Sequence, residues 1–240
     1  IMILVHFQKA GHKPVALVGG ATGMVGDPSG KSEERNLLSE DRLNHNLACV
    51  RKQLEQFLDF DSKENGAKIV NNYDWFKNLS FLDFIRDVGK HLTVNYMMAK
   101  DSVKSRLETG MSFTEFSYQL LQAYDFQCLY QQYDCPIQMG GSDQWGNILS
   151  GTDLVRRLAE VEAFALTSPL LTTSSGAKMG KTAAGAVWLN EEQLSAYDYW
   201  QYWRNTEDAD VERFMKLFTV LPMDEIARLA ALQGSEINEA

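Results

Sequence analysis

Apolar residues in this 240-residue chain fall into short continuous runs and into longer stretches with helical spacing. Short runs of four to eight apolar residues are typical of buried strands, and apolar positions at i, i+3, i+4 and i+7 are typical of amphipathic helices. Strands are predicted at 14–18, 67–70, 136–139 and 164–171, the last interrupted by Pro169. Helices are predicted at 1–10, 39–58, 79–108 with a break near His91, 112–133, 148–158 and over most of 191–240. This alternation predicts an α/β fold with a parallel sheet.

The segment Gly-Gly-Ser-Asp-Gln-Trp-Gly-Asn at 140–147 joins a predicted strand to a predicted helix. Adjacent glycines allow the backbone to come close to a ligand. Ligands of open parallel sheets bind beyond the carboxyl ends of the strands. We therefore expect Asp143 and Gln144 at the mouth of a binding crevice. The alternative is an ordinary capped helix start.

A polar stripe runs along the predicted helix at 112–133. Tyr118, Gln122 and Asp125 are spaced i, i+4 and i+7, which places them on one helical face. A solvated face usually carries Lys and Glu, whereas these three side chains offer short, directional hydrogen bonds. They suit a ligand with an amine and a hydroxyl group, although a solvent-facing stripe stays open as the alternative.

The polar, glycine-rich segment at 21–35 contains Lys31 and Arg35. A phosphate-binding P-loop needs a glycine five residues before its Gly-Lys-Ser, and Val25 occupies that position, so the P-loop spacing fails. The two cations can still reach phosphates from a glycine loop, and Asp27 can pair with an ammonium group. The alternative is a solvated charged loop.

A second basic segment, Lys-Met-Gly-Lys-Thr, lies at 178–182. Such a loop can bring Lys178 and Lys181 to a triphosphate and supply positive charge as negative charge develops in a transition state. Two loop lysines alone are more often only solubilising, so this interpretation depends on the other segments.

Composition and charge narrow the function. The net charge is −9, and residues 191–240 hold 11 acidic against 4 basic side chains, so no basic domain face indicates nucleic-acid binding. Three scattered cysteines and four histidines have no metal-ligand spacing, which predicts no protein-bound metal and a reducing compartment. No run approaches the roughly 20 apolar residues of a membrane span. Without a signal peptide pattern, we expect a cytoplasmic protein with no membrane partner.

Six segments together resemble the bacterial-type tyrosyl-tRNA synthetases, which are class I aminoacyl-tRNA synthetases. The segment at 178–182 is similar to the second class I signature, Lys-Met-Ser-Lys-Ser, with Gly180 and Thr182 substituted. The resemblance covers essentially the whole chain, and it is carried by residues 16–23, 26–30, 71–75, 112–118, 140–147 and 178–182.

The resemblance implies a Rossmann-like parallel sheet with a helical insertion, followed by the start of an α-helical domain. The catalytic domain would cover 1–190, with the insertion at about 79–120, and a truncated anticodon-binding domain would begin at 191. The insertion would contribute to a homodimer interface that includes Phe113. From sequence, Phe113 could equally be a core residue of the long helix.

The resemblance also implies the chemistry. Tyrosine is activated with ATP, whose phosphates carry the magnesium, to give tyrosyl-adenylate, and tyrosine is then transferred to tRNA(Tyr). By family match, the tyrosine ammonium group is held by Asp27, Tyr118 and Gln122, with Thr22 nearby. Asp125 accepts the phenolic hydroxyl, and Gln144 lies near the carboxylate. The ribose is contacted by Gly141 and Asp143, and the phosphates by Lys178, Lys181 and Thr182 with help from Lys31 and Arg35.

One departure concerns the first class I signature, His-x-Gly-His, which is absent. The family places it just before the position that matches Ile1, so we expect a fragment that lacks both ends. A tryptophanyl-tRNA synthetase is one alternative, but Asp125 with the Tyr118 and Gln122 pattern favours tyrosine. A non-catalytic RNA-binding protein on a synthetase scaffold is another, which the lysines of the 178–182 segment argue against.

Overall fold

The computed structural model describes residues 1–28, 39–106, 110–177, 179–182 and 185–239. Within these ranges the α-helices are α1 Met2–Lys9, α2 Thr22–Val25, α3 Glu40–Leu54, α4 Tyr73–Phe76, α5 Phe81–Asp87, α6 Val94–Met98, α7 Asp101–Lys104, α8 Phe113–Tyr133, α9 Trp145–Ala159, α10 Ala196–Arg204, α11 Asp208–Phe218 and α12 Met223–Ala230. Three 3₁₀ helices cover Gly89–His91, Ser142–Gln144 and Gly234–Glu239. The strands are β1 Val15–Val18, β2 Lys68–Asn71, β3 Ile137–Gly141, β4 Phe164–Ser168, β5 Lys181–Thr182 and β6 Gly185–Ala186.

The longer strands form two parallel pairs. In β1 and β2, the Lys68 N–H donates to the Pro14 carbonyl at 2.9 Å and the Asn72 N–H donates to Val18 at 3.1 Å. Partners advance together along both strands, so the strands are parallel. Strands β3 and β4 are also parallel, with register from Ile137 opposite Phe164 to Gly141 opposite Ser168. The short β5 and β6 form an antiparallel pair. The prediction of a parallel α/β fold is confirmed.

Contacts between residues divide the chain into two compact units. One contains residues 15–51 and 69–169, and the other contains residues 1–14, 52–68 and 170–240. The first unit contains α8, α9 and the helical segment between β2 and β3. The second unit contains the helices that follow residue 191. The predicted domain boundary at residue 190 stays a prediction.

The core of the 15–51 and 69–169 unit lies between α8 and α9. Phe126, Ile148 and Val155 are fully buried and pack together in it. Gly151 permits the close approach of the two helices, because a Cβ atom there would lie 2.8 Å from Cβ of Phe126. A second cluster joins helices α5 and α6 to α8 through Phe84, Val88, Leu92, Met97, Leu120, Ala123 and Leu154.

A buried ion pair fixes the start of α8. The Arg106 guanidinium donates to both carboxylate oxygens of Glu115, at 3.2 and 3.0 Å, and both side chains are almost fully buried. Ser112 caps the helix by accepting the N–H of Glu115 at 3.2 Å. Because bidentate pairs constrain both direction and distance, the polar stripe of α8 begins from a fixed end.

In the other unit, a glutamine side chain joins α1 to the loop after α3. The Gln8 amide donates to the carbonyls of Asp59 and Asn65, at 2.6 and 3.1 Å, and accepts the Asp59 N–H at 3.0 Å. The later helices of this unit pack through a cluster of Met215, Ile226 and Leu229 and through aromatic contacts of Trp203.

Several predicted boundaries differ from the observed ones. The segment at 21–35, predicted as a loop, contains the short helix α2. The helix predicted at 39–58 ends at Leu54, and the segment at 79–108 breaks into four short helices rather than two. Gly140 and Gly141, predicted as a turn, are the last residues of β3, because pairing with β4 continues through them. Within the described ranges, no helix combines the length and apolar character needed to span a bilayer.

We predict that Gly151→Ala destabilises the protein by about 1–3 kcal/mol, the usual cost of overpacking a dense core. The added methyl would press on the fully buried Phe126 ring. Gly146→Ala, in the same helix, is the matched control, since its Cβ would have ordinary contact with Lys100 at 3.6 Å. That control should be neutral or slightly stabilising because alanine favours helix. Urea unfolding followed by circular dichroism measures both, and equal stability of the two variants would contradict the packing argument.

Candidate functional site

A buried carboxylate stands at the centre of the site. Asp125 of α8 is 2% exposed, yet each of its oxygens accepts a hydrogen bond. The Asn72 amide donates to one oxygen at 3.0 Å, and the Trp75 indole N–H donates to the other at 2.9 Å. Burial raises the pKa of Asp125 to about 7, against the two hydrogen bonds, which lower it. The group is therefore poised between its two protonation states near neutral pH.

Asn72 links this carboxylate to the ends of two strands. It is fully buried and uses three hydrogen-bonding positions. Its amide donates to Asp125 and to the Thr22 hydroxyl, the latter at 2.9 Å, and its oxygen accepts the Ala21 N–H at 2.7 Å. Asn72 follows β2, while Ala21 and Thr22 follow β1. One amide therefore joins both strand ends to α8.

The preceding asparagine makes a second connection between the same strand ends. The Asn71 side-chain oxygen accepts the Gly20 N–H at 3.1 Å. A Cβ atom at Gly20 would lie 2.3 Å from that oxygen, so a larger residue there would displace the Asn71 side chain. Asn71 and Asn72 together hold the backbone after β1 in place. Asn72 thereby links the Thr22 hydroxyl to the Asp125 carboxylate by hydrogen bonds to both.

A second carboxylate cluster lies in the same unit. The Gln144 amide donates to Asp27 at 2.7 Å, and the buried Asn147 amide lies 3.5 Å from the other oxygen of Asp27. Together these two neutral amides orient the Asp27 carboxylate. The arrangement brings together residues 117 positions apart in sequence.

The polar stripe of α8 faces protein rather than bulk solvent. Tyr118 and Gln122 are half-buried, and burial is greatest at Asp125. The Gln122 amide donates to the side chain of Gln138 on β3 at 3.3 Å. The stripe therefore runs between an aromatic hydroxyl and a buried carboxylate, as a ligand-lining interpretation requires.

The glycines at the end of β3 allow the backbone to turn sharply beside polar groups. A Cβ atom at Gly141 would lie 2.5 Å from an Asp143 carboxylate oxygen, and one at Gly140 would lie 3.0 Å from Cβ of Gln144. The 3₁₀ helix Ser142–Gln144 follows at once, and Asp143 is exposed. The prediction that Asp143 and Gln144 follow a strand end holds, although the glycines belong to the strand.

The predicted phosphate-binding residues fall partly outside the described ranges. Lys31, Arg35 and Lys178 lie outside them. The backbone of Lys181 and Thr182 forms β5, which pairs with β6 at Ala186 and Gly185. These two residues belong to the unit that contains residues 170–240. Their roles stay predictions.

Four polar residues of the site have no predicted role from sequence: Asn72, Trp75, Gln138 and Asn147. The signal for the first two was present, because Asn-Asn-Tyr-Asp-Trp directly follows a predicted strand and strand ends are where ligands bind. The same signal applied to Asn147, because it ends the 140–147 segment that follows another predicted strand, whereas Gln138 lies inside that strand and gives no comparable signal. Across the described ranges, no group of three or more His, Cys, Asp or Glu side chains could hold a metal ion.

Polar side chains gathered at the carboxyl ends of parallel strands define an α/β protein with a candidate ligand site at the strand ends. The whole chain, residues 1–240, matches the family model described as tRNA synthetases class I (W and Y). The chain therefore belongs to this family of class I tRNA synthetases. The family resemblance carried by the sequence motifs is confirmed.

Individual relatives agree with the family match. The chain is 64% identical over 231 residues to a protein of Cytophaga hutchinsonii named Tyrosine--tRNA ligase, covering 96% of this chain and 54% of that protein. It is 60% identical over 242 residues to one of Agrobacterium fabrum with the same name, covering 100% and 58%. The chain thus spans little more than half the length of these relatives.

A solved structure supports the Rossmann-like fold class. The structure of a C-terminally truncated mitochondrial tyrosyl-tRNA synthetase from Aspergillus nidulans superposes with a TM-score of 0.84 at 31% sequence identity. The match covers 95% of this chain and 68% of that one.

The raised pKa of Asp125 predicts a pH-dependent stability. Asp125 holds its proton more tightly in the folded state than in the unfolded chain, where the pKa of its carboxyl group is near 3.8. The stabilising contribution is therefore complete below pH 4 and is lost as pH rises through about 7. This loss amounts to about 4 kcal/mol. Asp125→Asn, which cannot titrate, should lack this part of the slope in urea unfolding measured from pH 4 to 8. Identical slopes for parent and variant would contradict the assigned pKa.

Proposed function

We propose that the protein to which this chain belongs is a tyrosine–tRNA ligase, which activates tyrosine with ATP and transfers it to tRNA(Tyr). The buried Asp125 carboxylate, fixed by Asn72 and Trp75 at the end of a polar stripe, is the observation that carries the proposal. The relatives named Tyrosine--tRNA ligase support the same assignment. ATP is the substrate that this family uses, and the nucleotide would bring its own magnesium.

The proposed tyrosine site spans α8. Seven residues of helix separate Tyr118 from Asp125, and at 1.5 Å per residue this is about 10 Å, close to the length of a tyrosine molecule. Asp125 would accept the phenolic hydroxyl. At the other end, Asp27, Tyr118 and Gln122 would hold the ammonium group, with Thr22 nearby.

Activation then needs positioning rather than a covalent enzyme intermediate. The tyrosine carboxylate, near Gln144, would attack the α-phosphorus of ATP, so that an O–P bond forms while the bond to the leaving pyrophosphate breaks. Gly141 and Asp143 would contact the ribose. Lys178, Lys181 and Thr182, with Lys31 and Arg35, would stabilise negative charge on the phosphates.

A homodimer is the proposed assembly. The helical segment between β2 and β3 and the start of α8 expose large apolar side chains, with Leu82 at 77% and Phe113 at 67%. Phe81 and Val94 are similarly exposed. Exposed apolar surface of this kind marks an interaction site. The observed exposure of Phe113 favours the interface over the core position. We place the enzyme in the cytoplasm, with tRNA(Tyr) as its macromolecular substrate.

ATP–pyrophosphate exchange on the full-length protein tests the proposed activity. Tyrosine should support exchange, and phenylalanine should do so at least about tenfold less well in kcat/KM, because it lacks the hydrogen bond to the carboxylate, which contributes about 1.5–3 kcal/mol when the acceptor is charged. Asp125→Asn should erase most of this preference, since its amide N–H group would face one of the two donors, Asn72 or Trp75, and disrupt the arrangement that orients the acceptor.

The matched control is Asp134→Asn, an exposed carboxylate at the end of the same helix, in a left-handed conformation that asparagine tolerates. It should retain the preference for tyrosine. An unchanged preference in Asp125→Asn would sink the hydroxyl assignment. Exchange with tryptophan instead of tyrosine would indicate the related synthetase, and tyrosine binding without exchange would indicate a non-catalytic scaffold.

Light scattering tests the dimer. The full-length protein should have twice its monomer mass, and Phe113→Lys should shift it toward the monomer because a charge would be buried in an apolar interface. Thr114→Lys, at the neighbouring exposed position of α8, is the control and should leave the mass unchanged. A monomeric parent, or a dimeric Phe113→Lys variant, would contradict the proposed interface.

A further inference from the structure

Residues 171–177, 179 and 180 form a hydrogen-bonded hairpin that precedes Lys181. The Met179 N–H donates to the Leu171 carbonyl at 3.0 Å, and the Thr173 N–H donates to Ala177 at 2.8 Å. The Gly176 N–H closes the turn by donating to Thr173 at 2.9 Å. The contacts that hold this hairpin therefore determine where the backbone of Lys181 lies in space.

The turn of the hairpin is held by α11. Asp210 is 2% exposed, and one of its oxygens accepts the Ser174 backbone N–H at 2.7 Å. The other accepts Arg213 at 2.8 Å, and Arg213 also donates to the Thr172 carbonyl. Glu207 accepts the Ser174 hydroxyl at 2.5 Å. The Ser174 N–H holds the pKa of Asp210 below its usual range, so the carboxylate stays charged at neutral pH.

The other end of the hairpin is held by α10. The Tyr202 hydroxyl accepts the backbone N–H of Gly180, the residue before Lys181, at 3.2 Å. Gly180 has a φ of +81° and open space around its Cα, so its own packing does not fix it. The Tyr202 ring packs edge-on against Trp203, which itself contacts Phe218. A rigid aromatic cluster thus carries the acceptor.

We propose that Asp210 and Tyr202 are positioning residues for Lys181, acting through the two ends of the hairpin. The inference rests on the proposed function, in which Lys181 meets the phosphates of ATP. A lysine that stabilises a transition state must be placed accurately, and a misplacement of about 1 Å can cost about a hundredfold in rate. Asp27 and Asp125 belong to the other compact unit, so tyrosine binding should not depend on the hydrogen bonds that Asp210 and Tyr202 make to the hairpin.

Exchange kinetics on the full-length protein test the inference. Asp210→Ala should lower kcat for tyrosine-dependent exchange by about ten- to a hundredfold, the range expected for a displaced catalytic group. The KM for tyrosine should stay within about twofold of the parent value, because the substitution displaces Lys181, whose interaction with the phosphates matters only in the transition state. Lys181→Ala should show the same separation of kcat from KM. Asp208→Ala removes an exposed carboxylate from the same turn of α11, and this control should match the parent.

Tyr202→Phe keeps the aromatic packing and removes only the hydroxyl, so it serves if Asp210→Ala fails to fold. It should lower kcat less than Asp210→Ala does, with the KM for tyrosine unchanged. Hydrogen exchange supplies an independent readout: the Ser174 amide should exchange faster in Asp210→Ala, and the Gly180 amide faster in Tyr202→Phe.

The outcomes separate the two proposals. If the parent shows no tyrosine-dependent exchange, the proposed function fails and the inference falls with it. If the parent is active while the kcat values of Asp210→Ala and Tyr202→Phe equal the parent's, only the positioning role is overturned. A loss of tyrosine binding in parallel with kcat would also overturn it, since that pattern indicates a general structural defect.

Discussion

The buried carboxylate of Asp125 is the constraint on which the site depends. Removing a charge from water is costly, so a carboxylate that is 2% exposed needs directed donors. Asn72 and Trp75 provide them, and both lie just after β2. The cost of the charge therefore obliges α8, β2 and the turn after β1 to meet in one arrangement. A site that is fixed for this reason before a ligand arrives loses little entropy when one binds.

Asn72 shows how one side chain can join several elements. Its amide group donates twice and accepts once, and each bond goes to a different element or turn. An aspartate there would place a second carboxylate against Asp125, and a leucine would leave the Ala21 N–H and the Asp125 oxygen unpaired. Only a neutral group with both donors and an acceptor satisfies this position.

Local patterns in the sequence predicted the elements better than the partnerships. The α8 helix and its stripe follow from spacing within 21 residues, and the structure has both. The Asn72–Asp125 bond joins residues 53 positions apart, and no periodicity encodes that distance. The same holds for the Asp27–Gln144 bond, and for Asp210, whose role follows from a hairpin that precedes it by 36 residues. The glycines of β3 were misplaced because a Gly-Gly pair normally ends a strand, whereas pairing with β4 continues through both of them.

The two halves of the proposed chemistry make different demands on the chain. Recognition of a hydroxyl needs a buried acceptor held in a fixed orientation, and the Asp125 cluster has the burial and the hydrogen bonds for it. Charge stabilisation on phosphates needs cations on a segment that has little core of its own. The hairpin before Lys181 has few buried side chains and relies on backbone N–H groups that reach acceptors on α10 and α11. A backbone contact of this kind fixes the path of the chain that leads to Lys181. Buried side chains therefore fix the Asp125 cluster, whereas acceptors on two helices fix the backbone that precedes Lys181.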